Sequence, residues 1–336
     1  MPLLNELIQK SAENKPAFVP TMTKEEFKSL KKDEQAVMWD AINQKTEDVL
    51  SSAKELYSFL QAQARMPHLS ANNILYLQTQ HDDVSMLKTF DQWKDVGRSV
   101  NKDERSLRVI VGEAYTRKDG KDDIFFTTKP FFDISQTTGR TVPSERTLGS
   151  DQTALLTAMI HTAQDKGFGV IADNEVPSEI GGTYQDGEIR VRDDIELEKT
   201  IYGLALGSIA AERDRRGFRK SSSVEICSAI VFCEAVGMPI QYDKSIELLL
   251  DSVVMDAQSM TETKYKRNLL EYTQKSAKSL YEEVDRTAYQ LRTAERQQEA
   301  PDQDAPFPPS PEQASGEKTQ PAEKKKPSKK QEEPER

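Results

Sequence analysis

Cationic and aromatic side chains alternate in one short stretch of the chain, between residues 88 and 108. That stretch contains Lys88, Phe90, Trp93, Arg98, Lys102, Arg105 and Arg108. A groove that binds single-stranded nucleic acid needs both kinds of side chain, because cations follow the phosphates and flat rings stack on the exposed bases. Together with Asn73, which lies at the start of a predicted helix upstream, these residues form the candidate nucleic-acid-binding set.

A second interpretation fits the same stretch. Acidic side chains dilute its positive charge, at Asp91, Asp95, Asp103 and Glu104. Phe90 and Trp93 would then be core residues of a small domain, with the charged side chains on its surface. Composition alone favours this second interpretation.

Helices are predicted to precede the stretch. Thr23 and Glu26 fit a capping box, in which a Ser or Thr is followed three residues later by a Glu. Apolar residues at helical spacing predict a helix over 46–65 and a third one over 70–80. The third helix is expected to direct Ile74, Leu75 and Leu77 inward.

A small antiparallel sheet is predicted to follow the helices. Apolar and polar residues alternate from 106 to 114, which predicts a strand. Asp119 and Gly120 form a hairpin turn signal, and residues 124–128 fit the returning strand.

A second unit is predicted to begin near Ser150. It has an amphipathic helix that ends at Gly167, a short strand "GVIA" and a hairpin in which Tyr184 faces Ile189. Two apolar helices follow, "TIYGLALGSIAAERDRRG" and the segment 223–235. The chain after Leu248 is predicted to be mostly helical and becomes increasingly polar.

Three blocks of sequence in the first unit occur in order: "LSANNILYLQTQ", "TFDQWKDVGRSVNKDERSLRVIV" and "PFFDISQT". They resemble the N-terminal domain of ArdC-type antirestriction proteins and related LtrC-like proteins of plasmids and conjugative elements. The resemblance covers roughly residues 45–138 and implies a domain that binds single-stranded DNA. The matching positions are Ser70, Asn73, Trp93, Gly97, Arg98, Lys102, Phe132, Asp133, Ser135, Gln136 and Thr137.

One departure from the family pattern lies in its basic loop. The family usually has Lys-Gly-Glu-Lys, whereas this chain has Lys102-Asp103-Glu104-Arg105. Glycine adopts backbone conformations that other residues avoid. Without it, the sequence does not decide whether the backbone of this loop approaches a phosphate as it does in the family. We expect a structural role for the "DISQT" stretch and a binding role for Arg98, Lys102 and Arg105.

The same family commonly has a zincin-like metallopeptidase domain next, and the elements after residue 150 look like that domain. Active members have His-Glu-x-x-His on the central helix, where two histidines bind zinc and the glutamate activates water. The alignment places Gly203 and Gly207 at the histidine positions, and Leu204 at the glutamate position. Glu225 stands where a third ligand is expected, although a helix-capping or surface role is favoured for it. The resemblance therefore implies the zincin-like fold, whereas the residues at these positions predict a degenerate zinc site with no metal, no cofactor and no enzyme activity, unless other residues assemble a zinc site.

Composition limits the function further. The net charge of −10 argues against a surface that attracts nucleic acid everywhere. A local basic groove is still compatible with it, because charges are screened beyond ~10 Å. No apolar run is long enough to cross a membrane, and Cys227 and Cys233 are expected as reduced core residues, so the cytoplasm is the simplest location.

We therefore expect an α+β fold: a small helix-plus-antiparallel-sheet N-terminal domain, then a zincin-like α+β domain, then a helical and disordered C-terminal tail. The predicted boundaries are an arm at 1–22, a DNA-binding domain at 23–138, a pseudo-peptidase domain at 150–260, a helical extension at 261–300 and a disordered tail at 301–336.

The predicted function is that of a non-enzymatic single-stranded-DNA-binding protein of a mobile element, in conjugation or antirestriction. The alternative is a protein-interaction, regulatory or structural accessory module. In that case the inactive peptidase fold is a scaffold, and a protein partner binds through the C-terminal domain.

Overall fold

The computed structural model describes residues 24–117, 119–142 and 148–299. The predicted arm at 1–22, Thr23 of the predicted capping box and the predicted tail at 301–336 lie outside these residues.

Three helices form the beginning of the described chain: α1 (Lys24–Val49), α2 (Ala53–Arg65) and α3 (Ala71–Gln78). The prediction of one helix over 46–65 is wrong, because the chain interrupts the helix before Ser52. Ser52 has extended backbone, and its hydroxyl accepts a hydrogen bond from the Glu55 amide at 3.3 Å, so it is the N-cap of α2. The third predicted helix is confirmed, and its inward residues Ile74, Leu75 and Leu77 are fully buried.

The next segment contains a three-stranded antiparallel sheet and a separate two-stranded ribbon. Its elements are β1 (Leu87–Lys88), α4 (Phe90–Asp95), β2 (Arg98–Val100), β3 (Leu107–Thr116), β4 (Asp122–Asp133) and β5 (Thr137–Gly139). The sheet has the order β1-β4-β3, and β2 pairs with β5 in the ribbon. The predicted hairpin between β3 and β4 is confirmed, and Gly120 in its turn has a φ of +80°. The short α4 and the ribbon were not predicted.

The second half combines a mixed sheet with helices. Its elements are α5 (Gln152–Asp165), β6 (Gly169–Ala172), β7 (Gly182–Gln185), β8 (Glu188–Val191), α6 (Leu197–Arg215) and α7 (Ser222–Val236). Strand β8 lies between β6, to which it is parallel, and β7, to which it is antiparallel. Tyr184 pairs with Ile189 across the β7–β8 hairpin, as predicted. Helix α6 packs on β7, β8 and α7.

Two further helices complete the described chain, α8 (Lys244–Gln258) and α9 (Thr263–Glu299). Helix α2 packs against α7 and α8, and the buried Gln63 amide donates a hydrogen bond to the Leu270 carbonyl oxygen of α9 at 3.0 Å. The described residues up to Arg292 thereby form one compact unit, and those from Thr293 belong to a second one. The predicted α+β class is confirmed. None of the described helices combines the length and the apolar character that a membrane span needs.

The two cysteines lie on α7 and belong to the hydrophobic core of the protein. Cys227 and Cys233 are both free thiols and fully buried, as predicted. Burial raises the pKa of Cys227 to about 12, because the apolar surroundings disfavour the thiolate. These thiols are therefore protonated at neutral pH and unreactive toward metals or disulfides.

Candidate nucleic-acid interface

Trp93 lies inside the first half of the protein and not on its surface. Helix α4 begins with a capping box between Thr89 and Gln92, and Trp93 is its buried residue. The side chain is fully buried, and its Nε1–H donates a hydrogen bond to the Phe132 carbonyl oxygen at 2.8 Å. No face of the ring is free to stack on a base, so the geometry favours the core interpretation for Trp93.

Two cations of the candidate set lie over the buried indole. The Lys88 Nζ is 5.9 Å from the ring centroid, and the Arg98 guanidinium carbon is 5.8 Å from it. A cation within about 6 Å of an indole is attracted by the ring's quadrupole. Trp93 therefore positions Lys88 and Arg98.

Arg98 also joins the two strands of the ribbon. Its Nε donates to the Thr137 hydroxyl at 2.8 Å, and its Nη2 donates to the Thr137 carbonyl oxygen at 2.7 Å. Its Nη1 donates to the Arg140 carbonyl oxygen at 2.7 Å. These bonds occupy most of the guanidinium donors, so Arg98 contributes positive charge to the surface while it fixes β2 against β5.

Phe90 is the aromatic residue of the set that reaches the surface. Its side chain is 57% exposed, and its ring and that of Phe132 are inclined by 68° with centroids 6.5 Å apart. An exposed aromatic ring can stack on an unpaired base.

Gln136 fixes the basic loop between β2 and β3. Its Nε2 donates to the Glu104 carboxylate and to the Arg105 carbonyl oxygen, each at 2.9 Å. Its Oε1 accepts from the Asp133 amide at 2.9 Å. Gln136 is almost fully buried, so a side chain of the "DISQT" stretch determines where the loop lies.

Asp133 holds the same stretch in place through its carboxylate, which accepts hydrogen bonds from backbone amides. Burial alone would raise the pKa of this carboxyl, but amide donors at Ser135, Ser85 and Met86 outweigh that effect and lower the pKa below its ordinary value. The carboxylate is therefore charged at neutral pH and fixes the end of β4 against β1. These contacts give the "DISQT" stretch a structural role.

The basic loop has the backbone conformation that a glycine would provide. Asp103 has a φ of +68°, in the left-handed region that glycine, asparagine and aspartate tolerate best. It occupies the position at which the resembling family has glycine. The aspartate therefore retains the backbone turn and adds a negative charge to it.

Three cations of the set are exposed on or beside this loop. Within the described part of the chain, the side chains of Lys102, Arg105 and Arg108 make no hydrogen bond and no ion pair. Their charges are available to a ligand, whereas the loop that presents them is fixed by Gln136.

Asn73 has a structural contact instead. Its Nδ2 donates to the Ile110 carbonyl oxygen at 2.9 Å, and its Oδ1 accepts from the Ile110 amide at 2.7 Å. The side chain is mostly buried and joins α3 to the edge of β3. The candidate set thus divides into exposed residues and residues that position them.

The capping residues of α4 were missed by the sequence reasoning. Thr89 and Gln92 exchange hydrogen bonds with each other's backbone amides, at 3.3 Å and 2.9 Å. The pattern Thr-x-x-Gln in "TFDQ" is a capping-box signal, and it would have located this helix.

The degenerate zinc site predicted on α6 has no room for metal-binding side chains at Gly203 and Gly207. A Cβ on Gly203 would lie 2.2 Å from the Gly181 carbonyl carbon, and one on Gly207 would lie 2.5 Å from Ile189 Cγ2. Real Cβ atoms are not found so close to other atoms. Histidines at these two positions would therefore not fit between α6 and the sheet.

The other two residues of that site, Leu204 and Glu225, are buried in the protein. Leu204 is fully buried. Glu225 is buried, accepts a hydrogen bond from the Ser221 amide at 3.3 Å and lies 3.8 Å from Arg213 Nε. Burial raises the pKa of Glu225. Among the described residues, no three His, Cys, Asp or Glu side chains are grouped so that they could bind a metal ion.

Residues 32–151 match the family model of the N-terminal domain of anti-restriction factor ArdC. The match contains every residue of the candidate interface. No curated protein matches the chain. Two crystal structures of the antirestriction protein ArdC from plasmid R388 show partial similarity. The metal-free structure has 15% identity and a TM-score of 0.47, and the similarity covers 75% of this chain and 98% of that chain. The Mn(II)-bound structure has 14% identity and a TM-score of 0.43, with 66% and 84% covered.

Proposed function

Because residues 32–151 match the model of the N-terminal domain of anti-restriction factor ArdC, we propose that this chain binds single-stranded DNA and acts in antirestriction or conjugation for a mobile element. The antirestriction role comes from the family whose model these residues match. The DNA-binding role also has support in the geometry of the basic loop.

One observation carries the DNA-binding proposal. Lys102, Arg105 and Arg108 are exposed and without side-chain hydrogen bonds or ion pairs in the described chain. Lys102 and Arg105 lie on the loop that buried Gln136 fixes in place, and Arg108 follows it at the start of β3. Because the backbone of the loop is already fixed, it loses little conformational freedom when these side chains bind phosphates. Contacts through Phe132, Trp93 and Arg98 connect exposed Phe90 to β2, the strand that precedes the loop, and Phe90 supplies a ring for one base.

The acidic neighbours of the loop set the strength of this interaction. Asp91 and Asp95 of α4 are exposed, and Asp103 occupies the turn of the loop itself. Glu104 is bonded to Gln136. These charges oppose phosphate binding, so the proposed affinity is moderate and depends on salt.

The test is a titration of fluorescent single-stranded and double-stranded oligonucleotides with the wild type and with a triple variant, Lys102→Ala, Arg105→Ala and Arg108→Ala. We expect the wild type to prefer the single strand. The triple variant should bind it more weakly, and the slope of log K against log salt should fall in magnitude by about 2, at ~0.7 per lost phosphate contact.

A matched control removes three exposed lysines elsewhere, Lys32, Lys54 and Lys264. This control has the same net charge as the triple variant, so it separates a local site from the charge of the whole chain. Equal binding by the wild type and both variants contradicts the proposed interface.

We further propose that the second half is not an enzyme. The close packing at Gly203 and Gly207 supports this, since those positions offer no ligand and no space for one. Metal analysis of the purified protein tests the proposal. Stoichiometric zinc that survives dialysis against a weak chelator would contradict it.

The alternative function, a module that binds a protein partner, is favoured by one surface on α8. Leu248 and Met255 are 58% and 71% exposed, and their spacing of seven residues places them on the same side of the helix. After nuclease treatment, a protein that copurifies with the wild type and not with a Leu248→Ser and Met255→Ser variant would support this alternative.

A further inference from the structure

A second surface with cations and aromatic rings lies at the end of α6 and in the loop that follows it. The eight residues from Arg213 to Lys220 contain five cations and one acid, in a chain whose net charge is −10. Phe218 lies among these cations. We call this segment, together with Tyr272 of α9, the Phe218 surface.

Two aromatic rings form the centre of the Phe218 surface. Phe218 and Tyr272 are 49% and 46% exposed, and their centroids are 6.4 Å apart with the planes inclined by 51°. The Arg213 guanidinium carbon lies 5.6 Å from the Phe218 centroid. Half of each ring therefore faces solvent, although burial of both rings would be favourable.

A small cavity opens beneath the rings. Its volume is about 140 Å³, and the residues that line it include Phe168, Ile209, Leu280, Ser276 and Ser279. It is smaller than the ~300–1,000 Å³ of ordinary ligand pockets, so it has room for one ring and not for a whole small molecule.

Some cations around the cavity are already neutralised. Glu212 accepts hydrogen bonds from Lys166, Arg215 and Arg216, and Lys166 also binds Glu283. These groups form a network within the protein. They contribute to the rigidity of the surface rather than to its free charge.

Two other cations are free to bind a ligand. Arg219 and Lys220 directly follow Phe218 and are exposed, and neither side chain has a hydrogen bond or ion pair with any described residue. The Arg219 carbonyl oxygen accepts a hydrogen bond from Arg213 Nη2 at 3.0 Å, which fixes the backbone beside them. Arg219 and Lys220 are therefore available to bind an anion near Phe218, on a segment whose backbone is held by this hydrogen bond.

We propose that the Phe218 surface is a second contact site for single-stranded DNA, in which a base stacks on Phe218 with Tyr272 beside it, while Arg219 and Lys220 bind the adjacent phosphates. This inference rests on the proposed function. An acidic peptide would use the cations but would give the ring pair no flat partner, whereas a nucleotide uses both features. The second half of the chain thereby participates in DNA binding without a reaction of its own.

The first experiment measures the affinity for a fluorescein-labelled oligothymidylate by anisotropy, with the full chain and a double variant, Phe218→Ala and Tyr272→Ala. The dissociation constant should rise roughly 5- to 150-fold, the effect of losing one stacked base at ~1–3 kcal/mol. Phe218→Leu keeps the apolar contact with the cavity and removes the flat ring, so it should also weaken binding. Tyr289→Ala, which changes an exposed tyrosine of the same helix, should have no effect.

The second experiment removes the free charges with Arg219→Ala and Lys220→Ala. The slope of log K against log salt should fall in magnitude by about 1.4, at ~0.7 per phosphate contact. A pair of exposed lysines elsewhere, Lys32→Ala and Lys54→Ala, has the same net charge and should leave the slope unchanged.

The outcomes distinguish this inference from the proposed function. If the Lys102, Arg105 and Arg108 variant loses affinity while the Phe218 variants bind like the wild type, the Phe218 surface is not a DNA site and the proposed function stands. If no form of the protein binds the oligonucleotide, both are wrong.

A crosslinking experiment locates the contact directly. An oligonucleotide with 5-iodouridine should crosslink to the peptide that contains Phe218 or Tyr272, and unlabelled oligothymidylate should compete. If polyglutamate of equal charge abolishes the crosslink as efficiently as oligothymidylate does, the surface binds acidic peptides and the inference is overturned.

Discussion

Gly203 of α6 lies directly against the backbone of Gly181, so that a Cβ on Gly203 would be 2.2 Å from the Gly181 carbonyl carbon. The helix and the chain before β7 approach more closely than any side chain allows. Glycine in a helix interior costs ~1 kcal/mol relative to alanine. The packing of α6 on the sheet explains why the sequence accepts that cost at this position.

We predict that Gly203→Ala destabilises the protein by about 1–3 kcal/mol despite the better helix propensity of alanine. The methyl group would meet backbone atoms of Gly181 and Gly182, which cannot rotate away as a side chain can. Urea unfolding monitored by circular dichroism measures the change.

The control for this prediction is Gly169→Ala in β6. A Cβ there would meet only the Glu188 Cγ, at an ordinary contact distance of 3.5 Å. Its free energy of unfolding should stay within about 0.5 kcal/mol of the wild type. A Gly203→Ala protein as stable as the Gly169→Ala protein would show that α6 can move away from the sheet.

A change at Asp103 should strengthen DNA binding. Asp103→Asn retains a residue that tolerates the φ of +68° and removes the negative charge from the basic loop. We expect a severalfold lower dissociation constant for single-stranded DNA at low salt, and a smaller difference at high salt because the effect is electrostatic. Asp103→Gly should behave in the same way. If asparagine and glycine differ from each other as much as from aspartate, then the backbone conformation and not the charge controls the affinity.

Trp93 should be silent in a fluorescence titration with DNA. The chain has two tryptophans, and Trp39 is 37% exposed whereas Trp93 is fully buried. In a Trp39→Phe background, the emission of Trp93 should be blue-shifted and resistant to acrylamide, with no quenching when DNA binds. Strong quenching by DNA would mean that the indole does stack on a base.

The Glu212 network should make stability depend on pH in acid. Burial would raise the pKa of Glu212, but hydrogen bonds from Arg215, Arg216 and Lys166 lower it from 4.5 to about 2. The unfolded chain therefore binds more protons than the folded one between these values. The carboxylate contributes its full stabilisation above pH ~4.5 and loses it as the pH falls toward 2.

Glu212→Gln tests this dependence. At neutral pH it should destabilise the protein by as much as about 3 kcal/mol, at 1.36 kcal/mol per pKa unit, and the difference from the wild type should shrink as the pH is lowered from 4.5. The control is Glu198→Gln, at an exposed position in the first turn of the same helix. A difference that does not depend on pH would contradict the role of the Glu212 charge.

Periodicity located most of the described elements, because it reports on local backbone preference and burial. Helix α3, the β3–β4 hairpin and the β7–β8 hairpin occur where the pattern of apolar residues and turns predicted them. It failed between α1 and α2, where apolar spacing continues through a break that the Ser52 cap produces. It also missed the β2–β5 ribbon, since its strands have three residues each and are joined only by pairing across a long sequence separation.

The roles within the candidate interface were harder to predict. The sequence identified Trp93, Arg98 and Lys102 together, but residue type does not reveal which of them is exposed. Burial of Trp93 follows from the capping of α4 and from its hydrogen bond to Phe132, which is 39 residues away. Lys102 is the exposed member of this group.

The sequence by itself determined the α+β class, the resemblance to the ArdC N-terminal domain and the absence of histidines at Gly203 and Gly207. These depend on residue identity and on local order along the chain. The tertiary structure alone decided that both glycines have no room for a side chain, that Gln136 fixes the basic loop and that Phe218 lies beside Tyr272. Each of these is a contact between segments far apart in sequence, and such contacts form only when the whole chain is packed.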